Sequence, residues 1–231
     1  MLKANLDHVR KLVDEACERS GRDASEVTIV AVSKTKPEEA IMELYEAGHR
    51  DFGENYIQEL RKKHDDLPKD IRWHMIGHLQ RNKVKYIAEY IHMIHSVDSL
   101  ELAQTIEKEA AKHDRIIPIL IEVNIAGEDT KFGVSADEAE ELIREISLLP
   151  HVQVRGLMTS APFVEDPEED RIHFRNLAHL SVDIANKNID NVTVDVLSMG
   201  MSNDYEVALE EGSTIVRVGT SIFGKRDYPA K

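Results

Sequence analysis

A lysine stands where a short apolar, β-branched run stops. In Val30-Ala31-Val32-Ser33-Lys34-Thr35-Lys36-Pro37 the run reads as a strand and Pro37 can open a helix, so Lys34 projects from a strand end toward a pocket mouth. Such an amine becomes a nucleophile when desolvation or a neighbouring cation lowers its pKa, and its product with a carbonyl compound is a Schiff base. Lys36 is a candidate for that cation. The same residues also describe a strand ending in two solvated lysines, and the rest of the chain has to decide.

Small and polar residues follow the other apolar runs: Gly53-Glu54-Asn55-Tyr56, Gly77-His78-Leu79-Gln80, Met158-Thr159-Ser160, Ser198-Met199-Gly200-Met201-Ser202 and Arg217-Val218-Gly219-Thr220-Ser221. In the last two, Gly200 and Gly219 let backbone N–H groups approach an anion, and Ser198, Ser202, Thr220 and Ser221 can donate hydroxyl hydrogen bonds. Either segment alone reads as a Gly/Ser turn with an N-cap. Together, after neighbouring strands, they read as a phosphate cup. Arg217, inside an apolar strand, must meet a carboxylate, a carbonyl or a ligand acceptor, a structural ion pair being the plainer alternative. Lysine, cup and inward arginine describe a site for a phosphorylated aldehyde. Pyridoxal phosphate is the common cofactor with both groups, and the arginine would face its pyridine nitrogen.

The elements that must position these residues alternate. After an amphipathic helix near Leu2–Arg19, strands are expected near Val27–Val32, Arg50–Gly53, Arg72–Ile76, Ile91–Ser96, Ile116–Val123, Val152–Met158, Val192–Leu197 and Thr214–Val218. The third is short and polar. Helical segments begin near Pro37, Asn55, Leu79, Ser99, Ser135, Asp166 and Ser202, and Ser135 with Glu138 has capping-box spacing. This pattern predicts a single-domain α/β (β/α)₈ TIM barrel over residues 1–231, with an extra N-terminal helix and an abbreviated last helix. A doubly wound open sheet is the alternative. In such a barrel the site lies where strands end, as the candidate residues do.

The 231 residues carry 29 Lys and Arg against 43 Asp and Glu, a formal charge of -14, which disfavours a nucleic-acid partner. No linker, low-complexity tract or repeat interrupts the chain, and no run approaches membrane-spanning length. The expectation is a cytoplasmic monomer with no membrane contact. One cysteine, Cys17, excludes an internal disulfide, and its place on the stripe Leu6, Val9, Leu12, Val13, Cys17 predicts a packed core thiol.

The stretches AVSKTKP from Ala31, FGENYIQE from Phe52, WHMIGHLQRNK from Trp73, EVNIAGEDTKFGV from Glu122, GLMT from Gly156, LSMGMSNDYEVA from Leu197 and VRVGTSIFG from Val216 resemble the pyridoxal phosphate homeostasis family, a barrel similar to the N-terminal domain of alanine racemase. His78 departs from that pattern, where many relatives carry a smaller residue, and should affect only its loop. The resemblance implies that Lys34 holds pyridoxal 5'-phosphate as a Schiff base, that Ser198, Gly219 and Thr220 bind its phosphate, and that Arg217 lies near the ring nitrogen. Asn55 and His74 complete the candidate cofactor-binding set. Tyr56 and Trp73 read equally as ring contacts or packing. Thr130-Lys131-Phe132-Gly133 is a candidate loop over the mouth.

Two classes of function compete. Racemisation needs acid/base groups on both faces of the cofactor. In the racemases that this barrel resembles, the second group comes from a C-terminal domain, which is expected to be absent because the chain ends at Lys231. An arginine at the pyridine nitrogen also weakens the electron sink that carbanion chemistry needs. The first expectation is therefore a non-catalytic protein of pyridoxal phosphate (vitamin B6) homeostasis, storing, sensing or delivering the cofactor to apo-enzymes. The alternative is a racemase or lyase of narrow specificity, with Tyr56, His74 or a loop residue as second base. An aldolase using the lysine alone would need neither Arg217 nor the paired loops.

Overall fold

The computed structural model describes residues 1–128 and 130–224. Eight parallel strands, β1 (Thr28–Val32), β2 (Asp51–Glu54), β3 (Arg72–Met75), β4 (Met93–Val97), β5 (Ile117–Glu122), β6 (Val152–Met158), β7 (Val192–Met201) and β8 (Ile215–Val218), form a closed barrel in chain order. Closure is the pairing of β8 with β1, where Thr28 lies opposite Ile215 and Ala31 opposite Val218. That pairing rules out the open doubly wound sheet.

Helices α1 (Leu2–Ser20), α2 (Glu38–Glu46), α3 (Ile57–Asp66), α4 (Leu100–Lys112), α5 (Ala136–Ile146), α6 (Arg171–Ala185), α7 (Tyr205–Glu210) and the one-turn α8 (Thr220–Phe223) surround it. The extra helix α1 packs on α2, α7 and α8. The Glu43 carboxylate of α2 accepts the backbone N–H groups of Leu2 and Lys3, satisfying donors that a helix start leaves open. Its far end closes on Gly21 at φ 68, with the Arg22 N–H returning 2.9 Å to the Cys17 carbonyl. Cys17 is buried in the stripe, as expected. At α5 the Glu138 carboxylate takes both the N–H and the hydroxyl of Ser135.

Two connections differ from expectation. The segment after Leu79 is a 3₁₀ helix, Arg81–Tyr86, which buries Val84 and leads into the buried Ile87 and Ile91 before β4. Strand β7 runs to Met201, absorbing the expected Ser198–Met201 loop through a register shift against β8. Gly200 permits this: its φ is 94°, and a Cβ there would lie 2.7 Å from the Ala208 side chain on α7.

The large core lies between barrel and helices, where Phe52, Trp73, Phe174, Ile41 and Leu60 are fully buried or nearly so. A separate small cluster, Val30, Met93, Leu120, Met158, Val196 and Ile215, comes from six different strands and fills the barrel interior. Two residues on from several of these, on the same face of the strand, stand polar residues: His95, Glu122, Ser198 and Arg217, all buried. They form the floor of the site. Among the described residues no helix is long and apolar enough to cross a membrane.

Candidate functional site

A cavity of about 430 Å³ opens at the C-terminal ends of the strands, and Lys34, Asn55, Ser202, Arg217, Gly219 and Thr220 are among its lining residues. Five of the seven candidate cofactor-binding residues are therefore brought together. Ser198 and His74 do not line it: Ser198 is part of the floor behind Arg217, and His74 lies deeper in the barrel.

The turn after β1 presents Lys34. Its Lys36 N–H closes 3.0 Å onto the Ser33 carbonyl. Thr35 takes φ 65, an uncommon value for a β-branched residue, and its N–H is held 2.7 Å from Glu59 Oε1. Behind the turn sits a buried ion pair: Lys63 Nζ on α3 donates to Glu54 Oε1 at 2.7 Å and to the Ser33 carbonyl at 2.8 Å. The Ser33 hydroxyl donates to the same Glu54 oxygen at 2.6 Å. The ammonium of Lys36 turns instead toward α8, donating to the Phe223 and Gly224 carbonyls at 3.2 and 3.4 Å.

Asn55 follows β2, and Gly77 makes room for it: a Cβ at Gly77 would stand 2.7 Å from the Asn55 Cα and carbonyl oxygen. The Asn55 Oδ1 atom is buried and has no hydrogen-bond partner among the described residues, a polar group that costs free energy until something in the cavity meets it. Tyr56 is 59% exposed and Trp73 1% exposed. Trp73 packs against Phe52, ring centroids 6.0 Å apart, so it belongs to the outer core.

Arg217 is buried in the floor. Its Nη1 donates to the carbonyl and the hydroxyl of Ser198 at 2.8 and 2.6 Å, and its Nη2 to the Thr159 carbonyl at 2.8 Å. These partners are neutral oxygens. Burial pushes the guanidinium down to about 10 against the opposing pull of Asp204 and Glu122, which leaves it charged at neutral pH. Burial, with Asp98 adding to it, pushes the Glu122 carboxyl up to about 7.

At the cup, the N–H groups of Gly219 and Ser221 converge on Ser202 Oγ at 3.1 and 3.4 Å. Both point at one oxygen, the arrangement that an anionic oxygen would use. Gly219 is not forced by space, since a Cβ there would lie 3.4 Å from Val32. Lys131 also lines the cavity. The neighbouring Phe132 stacks on His78 with centroids 4.1 Å apart and planes 14° apart, joining the loops after β3 and β5 across the mouth.

Sequence reasoning missed His95 and the Glu54–Lys63 pair. The signal for His95 was its place two residues after Met93 on a strand buried on both faces. Glu54 and Lys63 carried no signal beyond their types, because pairing across a strand and a helix is a tertiary fact. A primary amine, a pair of N–H donors, a buried cation and an unmet amide oxygen around one cavity fit the chemistry of a phosphorylated aldehyde.

Residues 4–227 match the family described as alanine racemase, N-terminal domain. A pyridoxal phosphate homeostasis protein of Aquifex aeolicus (strain VF5) is 46% identical over 224 residues, 96% of this chain and 97% of its own. The structure of PipY of Synechococcus elongatus PCC7942 with PLP bound superposes with a TM-score of 0.83 at 33% identity, covering 97% of this chain and all of that one. Alanine racemase of Clostridium difficile 630 shares the fold, with a TM-score of 0.72 at 16% identity over 98% of this chain and 57% of its own.

Proposed function

This chain belongs to the alanine racemase N-terminal domain family and, within it, to the pyridoxal phosphate homeostasis proteins, and we propose that it binds pyridoxal 5'-phosphate through Lys34 without turning over amino acids. The observation that carries this reading is the shared cavity of Lys34, Asn55, Arg217, Gly219 and Thr220, together with the likeness to PipY with PLP bound.

In this reading Lys34 supplies the amine for a Schiff base, and the Gly219 and Ser221 N–H groups with Thr220 receive the phosphate. Arg217 faces the ring nitrogen. Asn55 spends its unmet oxygen on the bound molecule. His74 and Ser198 act from below, through the position of Arg217. When bound, the cofactor supplies an aldehyde carbon and a conjugated ring able to accept electrons. A guanidinium charged at neutral pH opposite that ring's nitrogen disfavours its protonation, and so favours holding over carbanion chemistry.

The proposed setting is a cytoplasmic monomer exchanging the cofactor with apo-enzymes. A racemase or lyase reading draws support from Lys131, a second amine lining the same cavity. One measurement tests binding and a second separates the two readings. Adding the cofactor to the protein should produce a lysine-linked absorption band beyond the polypeptide's own. Incubating the loaded protein with L-amino acids in deuterated water should then give no α-proton exchange at ordinary enzymatic rates, on the order of one per second or faster. Exchange at such rates would establish the enzyme reading.

A further inference from the structure

A chain of hydrogen bonds crosses the barrel interior from the cavity floor to the opposite mouth. Arg217 Nη1 donates to Ser198 Oγ at 2.6 Å, and Ser198 Oγ lies 2.9 Å from His95 Nδ1. His95 Nε2 lies 2.9 Å from His74 Nδ1, and His74 Nε2 lies 3.1 Å from Asp51 Oδ1. Arg72 closes the far end, its Nε and Nη2 on the two Asp51 oxygens at 2.8 and 2.5 Å. Ser198, His95 and His74 are at most 1% exposed.

The two ends dictate every hydrogen between them. An arginine only donates, and an ionised carboxylate only accepts. Burial alone would raise the Asp51 carboxyl, but the hydrogen bonds from Arg72 and His74 hold it well below the usual carboxylate range. With one proton on each imidazole, a single arrangement then satisfies every atom. The Ser198 hydroxyl donates to His95 Nδ1, His95 Nε2–H donates to His74 Nδ1, and His74 Nε2–H donates to Asp51.

A second proton on His74 is compatible only with the reverse order. His74 would then donate from both nitrogens, His95 would carry its proton on Nδ1, and Ser198 Oγ would accept from His95 as well as from Arg217. His95 itself stays neutral in both arrangements. Burial, then His74, Arg217 and His92, push it well below the ordinary imidazole range. Among the described residues, the groups facing His74 are Asp51, Arg72, His95 and His92, whose ring centroid is 5.1 Å away, and Glu26, Arg155 and Asp195 line the same hollow. Facing Arg217 are Asp204 and Glu122. A separate hollow of about 440 Å³ at the N-terminal mouth is lined by Asp51, Arg72, His74 and His92, so a proton reaches His74 without crossing the cofactor cavity.

We propose that His95 and His74 are positioning residues for Arg217, whose seat at the ring end of the cavity is coupled through their hydrogen-bond chain to the protonation of His74 at the far mouth. The chain itself rests on geometry alone. Its consequence for the cofactor rests on the reading that Arg217 faces the bound ring.

The test has two arms. In the protein freed of cofactor and labelled with ¹⁵N-histidine, both rings are expected to be neutral Nε2–H tautomers at pH 8. In the form with a second proton on His74, His95 is expected to carry its own proton on Nδ1. An Nδ1–H tautomer of His95 at pH 8, or a His95 that ignores protonation of His74, would overturn the chain. In the second arm, His95→Leu is expected to weaken cofactor binding roughly tenfold, on the scale of one neutral hydrogen bond lost behind the Ser198 hydroxyl that seats Arg217. His95→Gln, which keeps a donor and an acceptor but cannot titrate, should retain binding while the absorption of the bound cofactor loses its response to His74 protonation. With the Glu122 carboxyl, which also faces Arg217, removed by Glu122→Gln in both proteins, a pH response in His95→Gln equal to that of the His95 protein contradicts the coupling even if His95→Leu fails to fold. Absence of cofactor binding by the wild-type chain would sink the functional reading and leave the first arm standing.

Discussion

Lys63 donates a 2.8 Å hydrogen bond to the carbonyl oxygen of Ser33, the residue before Lys34. A buried cation on α3 thereby fixes the turn that presents the amine. The same ammonium neutralises Glu54, which is fully buried. Removing one partner of such a pair leaves an uncompensated charge. Lys63→Met is expected to lower unfolding free energy by about 3–5 kcal/mol, read by urea denaturation, and Lys63→Met with Glu54→Gln should recover part of it. No recovery in the double variant would show that Glu54 is not the group left stranded.

Glu122 gives the stability a pH dependence whose sign follows from its burial. Burial raises its carboxyl from 4.5 to about 7, so the folded state binds this proton more tightly than the unfolded one. Its favourable contribution is present below about 4.5 and is lost as pH rises through about 7. Glu122→Gln keeps the shape and removes the charge. It is expected to be more stable than wild type at pH 8 and to gain nothing at pH 4. An equal stability difference at both values would mean that Glu122 does not titrate in this window.

The barrel was legible because its signals are local. Most strands are short apolar runs, β2 and β3 being the polar exceptions, the long helices are amphipathic, and Lys34, Asn55, Arg217, Gly219 and Thr220 stand at strand ends or just beyond them. His74 was legible as chemistry but not as to depth. A histidine next to Trp73 on a four-residue strand points inward or outward according to the pleat, and the pleat here sends it toward Asp51 and His95. The partners of Arg217 were hidden for a related reason: two are main-chain carbonyls, which no side-chain pattern reveals. The length of β7 was misjudged because Gly200 and its flanking serines read as a loop until α7 is packed against them.

The His78–Phe132 stack ties two loops across the cavity mouth. His78→Ala removes a ring contact worth roughly 1 kcal/mol and is expected to speed release of bound pyridoxal phosphate by about fivefold. Thermal stability should change little, since both side chains are exposed at the mouth. The release rate can be followed by stopped-flow absorbance in the presence of an excess of scavenging apo-enzyme. An unchanged rate would leave the stack without a role in retention.

The central claim is that Lys34, and not Lys36, forms the covalent link. Lys34 lines the cavity, whereas the Lys36 ammonium lies against the end of α8. Borohydride reduction of the protein loaded with pyridoxal phosphate, followed by proteolysis and peptide mass mapping, reads the linkage at the residue itself. The account predicts a reduced cofactor adduct on Lys34, and its loss in Lys34→Ala. An adduct on Lys36 with Lys34 unmodified, or a full-strength adduct persisting in Lys34→Ala, would contradict it.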